Sequence, residues 1–219
     1  MPAFGTGLLY TVMLAFFAVI IGFVIALLLA FMRLSKLKIL RFISGAYVEI
    51  VRGTPMLVQL MIVYYGIFGV ITVPSFMIFG FIDSSRFIPG VIAIAFNSAG
   101  YVAEIIRGGI QGVDYGQTEA ARSLGLKQGQ NMRFIVLPQA VKNILPAIAN
   151  EFVTIIKESS VCTLLGMAEL MFTAKLVQSQ SLRIMEPLLV AACLYFLLTF
   201  PTSKAIQAIE RRMRRGDER

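Results

Sequence analysis

The chain has no histidine, only two cysteines, and few charged residues, 15% of 219. Without histidine, haem ligation and imidazole-based acid/base catalysis have no carriers, and the scattered Cys162 and Cys193 lack metal-ligand spacing. They read as two buried thiols, and no metal site is expected. Also missing are a GxxxxGK[ST] phosphate loop, a kinase signature and any Ser/His/Asp or Cys/His arrangement. The chain therefore hydrolyses no nucleotide by a visible route, carries no catalytic residue and is not expected to be an enzyme. The start, MPAFGTG, lacks the basic segment of a cleavable signal peptide, so the first apolar run is expected to be retained.

What is abundant is apolar sequence. Hydrophobic residues make up 58% of the chain and the mean hydropathy is +0.80, far above a soluble domain, so the expected class is an all-α membrane protein. A net charge of +8 would suggest nucleic acid in a soluble chain, but here the basic residues sit in short segments between apolar runs and read as topology signals. Nucleic acid is not an expected partner; the lipid bilayer is.

The single domain, residues 1–219, is expected to hold five transmembrane helices, at about 8–32, 56–73, 87–106, 135–156 and 187–206. Residues 37–51 read as an interfacial helix in which Glu49 and Arg52 pair. A count of the Lys/Arg between the spans decides the orientation. Five Lys/Arg lie in residues 33–53, four in 107–134, one at Lys142 and six from Lys204 onward, so sixteen of twenty are inside if the N-terminus is outside and the C-terminus cytoplasmic. Residues 107–134 then form a cytoplasmic loop. Five helices without an internal repeat lack the second half of a translocation path, which a dimer would supply. Gly22, Ala26 and Ala30 offer a close-packing face, either for that dimer or for helices of the same chain.

Two spans carry polar stripes. Asn97, Tyr101 and Glu104 share a helix face with Ser98 beside it, and Asn143, Asn150 or Glu151, Thr154 and Glu158 recur at helical spacing further on. Asn97 and Ser98 fall near the midplane, with Glu151 about 6 Å to its outer side at 1.5 Å per residue. A carboxylate there costs about 2.5–3.5 kcal/mol unless it meets water, a partner or a ligand. The candidate solute-binding residues are therefore Asn97, Ser98, Tyr101, Glu104, Asn150, Glu151 and Thr154. Glu104 can alternatively pair with Arg107, three residues on.

The polar island EAARSLGLKQGQNMRFIVLP, Glu119 to Pro138, stands out in this apolar sequence. Glu119 to Leu124 can form a short helix, Gly125 a left-handed turn, and Ala120 and Ala121 a surface small enough for close docking in a partner's groove. The spacing of Glu119, Ala120, Ala121, Gly125, Leu137 and Pro138 resembles the EAA loop of ABC importer permeases. YVEIVRGTPMLVQL (47–60), AFNSAGYVAEIIRGGIQGV (95–113) and the segment from Asn150 to Val161 extend the resemblance to permeases for polar amino acids, closest to the arginine/histidine (Art-type) group; Glu158 stands where such chains often have Asp.

That resemblance implies a MetI-like permease fold in a bacterial cytoplasmic (inner) membrane, a second permease copy, identical or similar, and two copies of an ATP-binding subunit holding ATP-Mg. It also implies an extracytoplasmic amino-acid-binding protein that delivers substrate. The six island residues would couple to the ATPase, with no cofactor in this chain. An ammonium-bearing substrate facing Glu151 suggests basic L-amino acids: arginine, lysine or histidine. The alternatives are an ion-coupled secondary carrier or channel without an ATPase, or a membrane scaffold whose polar stripes only join helices.

Overall fold

The computed structural model describes residues 2–215; Met1 and the last four residues of the charged tail lie outside the described residues. Apolar residues without interruption build α1, Pro2–Leu34. After α2, Lys38–Gly53, the Gly-Thr-Pro sequence breaks the helix, because Pro55 offers no amide hydrogen and favours extended backbone before it. The short α3, Met56–Met61, runs into a wide turn over Ile62–Ile67, and the two helices meet at 113°. A small hairpin follows, β1 Met77–Ile78 paired antiparallel with β2 Ile82–Asp83, the one departure from an all-helical chain among the described residues.

Asp83 starts α4, Ser84–Gln111, by accepting a hydrogen bond from the Ser85 amide at 3.0 Å, the usual service of a helix-capping carboxylate. The loop helices α5, Tyr115–Ser123, and α6, Gln128–Asn131, lead into α7, Leu137–Glu158. A tight helical turn, Ser159–Leu165, then α8, Leu170–Ser181, precede α9, Met185–Arg215.

Directions follow from the contacts. Tyr10 meets Phe87 edge-on at 5.3 Å, Gly22 lies against Ala95 and Ser98, and α1 therefore runs parallel to α4. Gly109 lies against Ala140 and Ile144, while Ser98 neighbours Glu151, so α7 runs antiparallel to α4. Since α1 and α4 point the same way, residues 35–83 return the chain to the far end, and the bent α2 and α3 make that return. Among the described residues three helices (α1, α4 and α9) are long and apolar enough to cross a bilayer, or up to five spans if each bent pair counts as one.

Several expectations change here. The second span, expected at 56–73, is helical only to Ile67, about 18 Å at 1.5 Å per residue, and needs α2 to reach further. The helix at 38–53 is not merely interfacial: Ser44, Val48 and Val51 are buried, with the Ser44 hydroxyl donating to the Leu29 carbonyl at 2.8 Å. Arg52 pairs with Glu104 at 3.6 Å rather than with Glu49. Gly22 and Ala26 pack inside the chain: a side chain at Gly22 would stand 3.1 Å from the Ala95 carbonyl, and Ala26 lies in a core cluster with Ala99 and Val102. Cys162 is buried, but Cys193 is exposed on α9.

The hairpin end is closed by a buried carboxylate that sequence reasoning passed over. Glu169, fully buried, accepts from the Met171 and Phe172 amides at 2.8 and 2.6 Å and from the Tyr195 hydroxyl at 2.8 Å. It caps α8 and ties α9 to it.

Candidate functional site

Three helices converge on a concavity of about 360 Å³, lined by Arg52 from α2, Tyr101, Glu104, Ile105 and Gly108 from α4, and Glu151 from α7. Antiparallel packing of α4 and α7 is what puts Glu151 opposite a residue fifty positions earlier in the chain. Glu104 is already neutralised: the Arg107 guanidinium donates two hydrogen bonds to its carboxylate, and Arg52 stands 3.6 Å away. Glu151 differs. Among the described residues no cationic side chain pairs with it, its charged neighbour along α7 is the like-charged Glu158, and the one polar side chain beside its carboxylate is the buried Ser98 hydroxyl. The concavity thus offers an uncompensated carboxylate, a guanidinium that is half exposed, and an aromatic hydroxyl.

The predicted solute-binding residues separate into three groups. Tyr101, Glu104 and Glu151 line the concavity together, and Ser98 lies behind it. Asn97 is 4% exposed and donates its amide to Gln59 at 3.0 Å, facing away toward α3. Asn150 lines a different concavity, between α7 and α9, with Lys142, Asn143 and Glu210, and its carbonyl accepts the Thr154 hydroxyl at 3.2 Å. The neighbours 150 and 151 diverge because adjacent helix positions point about 100° apart. Arg52 and Gln59 were missed. The signal was present as a charged residue beside a Gly-Thr-Pro break, but its nearest acid in sequence, Glu49, drew the pairing.

The loop that carries the EAA pattern is a separate structure. Asp114 caps α5 through the Gly116 amide at 2.6 Å. The helix ends with Gly125 in the left-handed region, φ +80°, where the Gly125 and Leu126 amides donate to the Arg122 and Ala121 carbonyls at 2.9 and 3.1 Å. That paired closure is the glycine-terminated helix end of a Schellman motif. Asn131 is buried and donates to the Thr118 hydroxyl at 3.2 Å, holding α6 against α5. Glu119, Ala120, Gly125, Leu137 and Pro138 are exposed, whereas Ala121 is 3% exposed and turned into the loop's own interior. A wide turn at Met132–Val136 enters α7 just ahead of Pro138, which lacks one helix donor.

A bundle of apolar helices around a polar concavity, with a structured hydrophilic loop at one end, defines an integral membrane transport component. The family model for the inner membrane component of binding-protein-dependent transport systems matches residues 18–215, and the chain belongs to that family. It is an amino-acid ABC transporter permease of the inner membrane.

The chain is 37% identical over 211 residues to the arginine transport system permease protein ArtQ of Bacillus subtilis, covering 96% of this chain and 92% of that one. A permease of Rickettsia typhi named for glutamine transport is 40% identical over 207 residues, 94% of this chain and 91% of the other. The crystal structure of an amino acid ABC transporter with histidines contains a chain 43% identical, superposing with a TM-score of 0.88 over 96% of this chain and 94% of that chain. A chain of the MetNI methionine ABC transporter, 19% identical, superposes with a TM-score of 0.66 over 95% of this chain and 97% of that chain and supports the fold alone.

Proposed function

We propose that the chain is the membrane path of an ATP-driven importer of basic L-amino acids, and that the concavity between α2, α4 and α7 receives the substrate. The observation that carries this is the charge arrangement of the lining. Arg52, Glu104 and Glu151 leave it one negative charge in excess, which complements a zwitterion bearing one further cation. Arg52 would hold the α-carboxylate and Glu151 an ammonium or guanidinium, charge-assisted bonds that gain strength where water is scarce. A second reading has its own support. Arg107, outside the lining, already neutralises Glu104, and counted with it the site balances to zero, which suits a neutral amino acid such as the glutamine for which several relatives are named.

In this reading the chain crosses the membrane five times with its N-terminus outside, two permease chains face one another, and a binding protein delivers substrate at the hairpin end. The exposed face of α5, with Glu119 and Ala120, and Gly125, Leu137 and Pro138 beyond it, docks a separate ATPase chain. Closure of two ATPases on ATP-Mg would draw the docked loops together and tilt the helices, opening the concavity first outward and, after hydrolysis, inward. Family membership favours this over an ion-coupled carrier. The test is uptake by proteoliposomes holding the complex, screened with the twenty amino acids. ATP-dependent accumulation of arginine, lysine or histidine is expected; accumulation by the permease alone under an ion gradient would overturn the proposal, and exclusive uptake of glutamine would select the second reading.

A further inference from the structure

A helix break inside an apolar bundle leaves carbonyl groups without donors, and each must find one. Between α2 and α3 one side chain serves two of them. The two hydrogens of the Gln59 amide nitrogen are shared among the Val51 carbonyl at 2.7 Å, the Thr54 carbonyl at 3.0 Å and the Thr54 hydroxyl at 2.7 Å, and that hydroxyl donates its own hydrogen bond to the Ile50 carbonyl at 2.8 Å. The other end of the same amide is used as well. Its oxygen accepts from Asn97 at 3.0 Å, and Asn97 is anchored in the buried face of α4.

Arg52 sits inside the turn that Gln59 clamps, directly after Val51 and two residues before Thr54. From there it stands 3.6 Å from Glu104 and lines the concavity that Glu151 also lines. Its side chain is 46% exposed and, among the described residues, meets no other acid, so little besides the backbone beneath it sets where the guanidinium stands. That backbone carries neither helix bonds beyond Gly53 nor an amide hydrogen at Pro55.

We infer that Gln59 is a positioning residue for substrate recognition: by joining the α2–α3 break to Asn97 on α4, its amide fixes the Arg52 guanidinium relative to Glu104 and Glu151. The inference rests on the concavity being the substrate site. It also reassigns Asn97, which serves as the anchor of this clamp and does not itself face the solute. Substitution of Gln59 frees the last turn of α2 and weakens binding through Arg52, so the two residues must act as one unit.

A double-mutant cycle tests this. L-arginine and L-glutamine are titrated calorimetrically into the purified complex carrying Arg52→Ala, Gln59→Met or both, and the half-saturation and maximal rate of amino-acid-stimulated ATP turnover are measured alongside. Each single substitution is expected to raise the dissociation constant of the tighter-binding probe about tenfold, as a modest misplacement of a binding group does. The double variant binds no more weakly than Arg52→Ala alone, because the effects of coupled residues do not add. Half-saturation rises more than the maximal rate falls. Thr54→Val, which deletes one acceptor of Gln59, shifts the affinity in the same direction by less and stands in should Gln59→Met fail to assemble. Effects of Arg52→Ala and Gln59→Met that multiply, or an unchanged affinity in Gln59→Met, would overturn the inference while leaving the site intact. An unchanged affinity in Arg52→Ala would overturn the site and the inference together.

Discussion

Glu169 and Glu151 are both carboxylates in apolar surroundings, and the chain treats them in opposite ways. Around Glu169, at the hairpin end, two backbone amides and the Tyr195 hydroxyl point at the carboxylate, and nothing of it reaches the surface. Around Glu151 the charged neighbour on its own helix is another acid, a single buried hydroxyl, that of Ser98, stands beside it, no cation pairs with it among the described residues, and a concavity opens in front. A buried charge that the fold satisfies is part of the fold; one that the fold leaves open is a candidate to meet a ligand. Glu104, held by Arg107 and Arg52, belongs to the first kind although it lines the same concavity.

The comparison is broken most severely by removing Glu169. Glu169→Ala leaves two amides and a buried hydroxyl without an acceptor, each worth about 1–3 kcal/mol, and should prevent stable assembly; thermal unfolding of the purified complex reads this out. Tyr195→Phe removes one donor only, and is expected to lower stability by about 1–2 kcal/mol while leaving amino-acid affinity where it was. Such a variant with normal stability and weakened affinity would erase the distinction between the two regions.

The loop sharpens the contrast by exposing what the concavity and the hairpin end enclose. Gly125→Pro forbids the left-handed φ of +80° and deletes the donor to Arg122, so the exposed face of α5 loses its angle to α6. Co-purification with the ATPase subunit is expected to be lost, with calorimetric binding of the amino acid retained.

The smallest effect concerns Asp83, a solvent-facing carboxylate that the fold satisfies locally. Hydrogen bonds from the Ser85 hydroxyl and amide hold it below the usual carboxylate range. Its stabilising contribution is therefore present above the unfolded-state pKa of about 3.9 and disappears as pH falls through the lower folded value. Asp83→Ala should cost about 1 kcal/mol at neutral pH, with the gap to the parent chain closing in acid, as unfolding temperatures across a pH series will reveal.

How much of this was legible in the sequence depended on whether the information was local. The end of the loop helix near Leu124 and the left-handed Gly125 could be read directly, because the glycine dictates them, but the helix was expected from Glu119 and begins four residues earlier, at Tyr115 behind the Asp114 cap. Spans without charge, such as α1, could be read from length alone. The bent α2–α3 return could not: the Gly-Thr-Pro break was visible, but which helices α2 packs against depends on α1 and α4, far away in sequence. In the candidate site, Glu151 stood out in the sequence because a charge in an apolar run is conspicuous. Arg52 and Gln59 lie at a helix break, where helical spacing ceases to report who faces whom, and Asn97, on the right helix face, turned out to face α3.

The central claim is that Glu151 is left unpaired to meet a cationic substrate. Its most direct test is calorimetric titration of L-arginine and L-glutamine into the complex with Glu151→Gln, a change that keeps shape and removes charge. Arginine affinity is expected to fall about tenfold to a hundredfold, the loss of one charge-assisted bond, with glutamine affinity and unfolding temperature retained. Unchanged arginine affinity would contradict it.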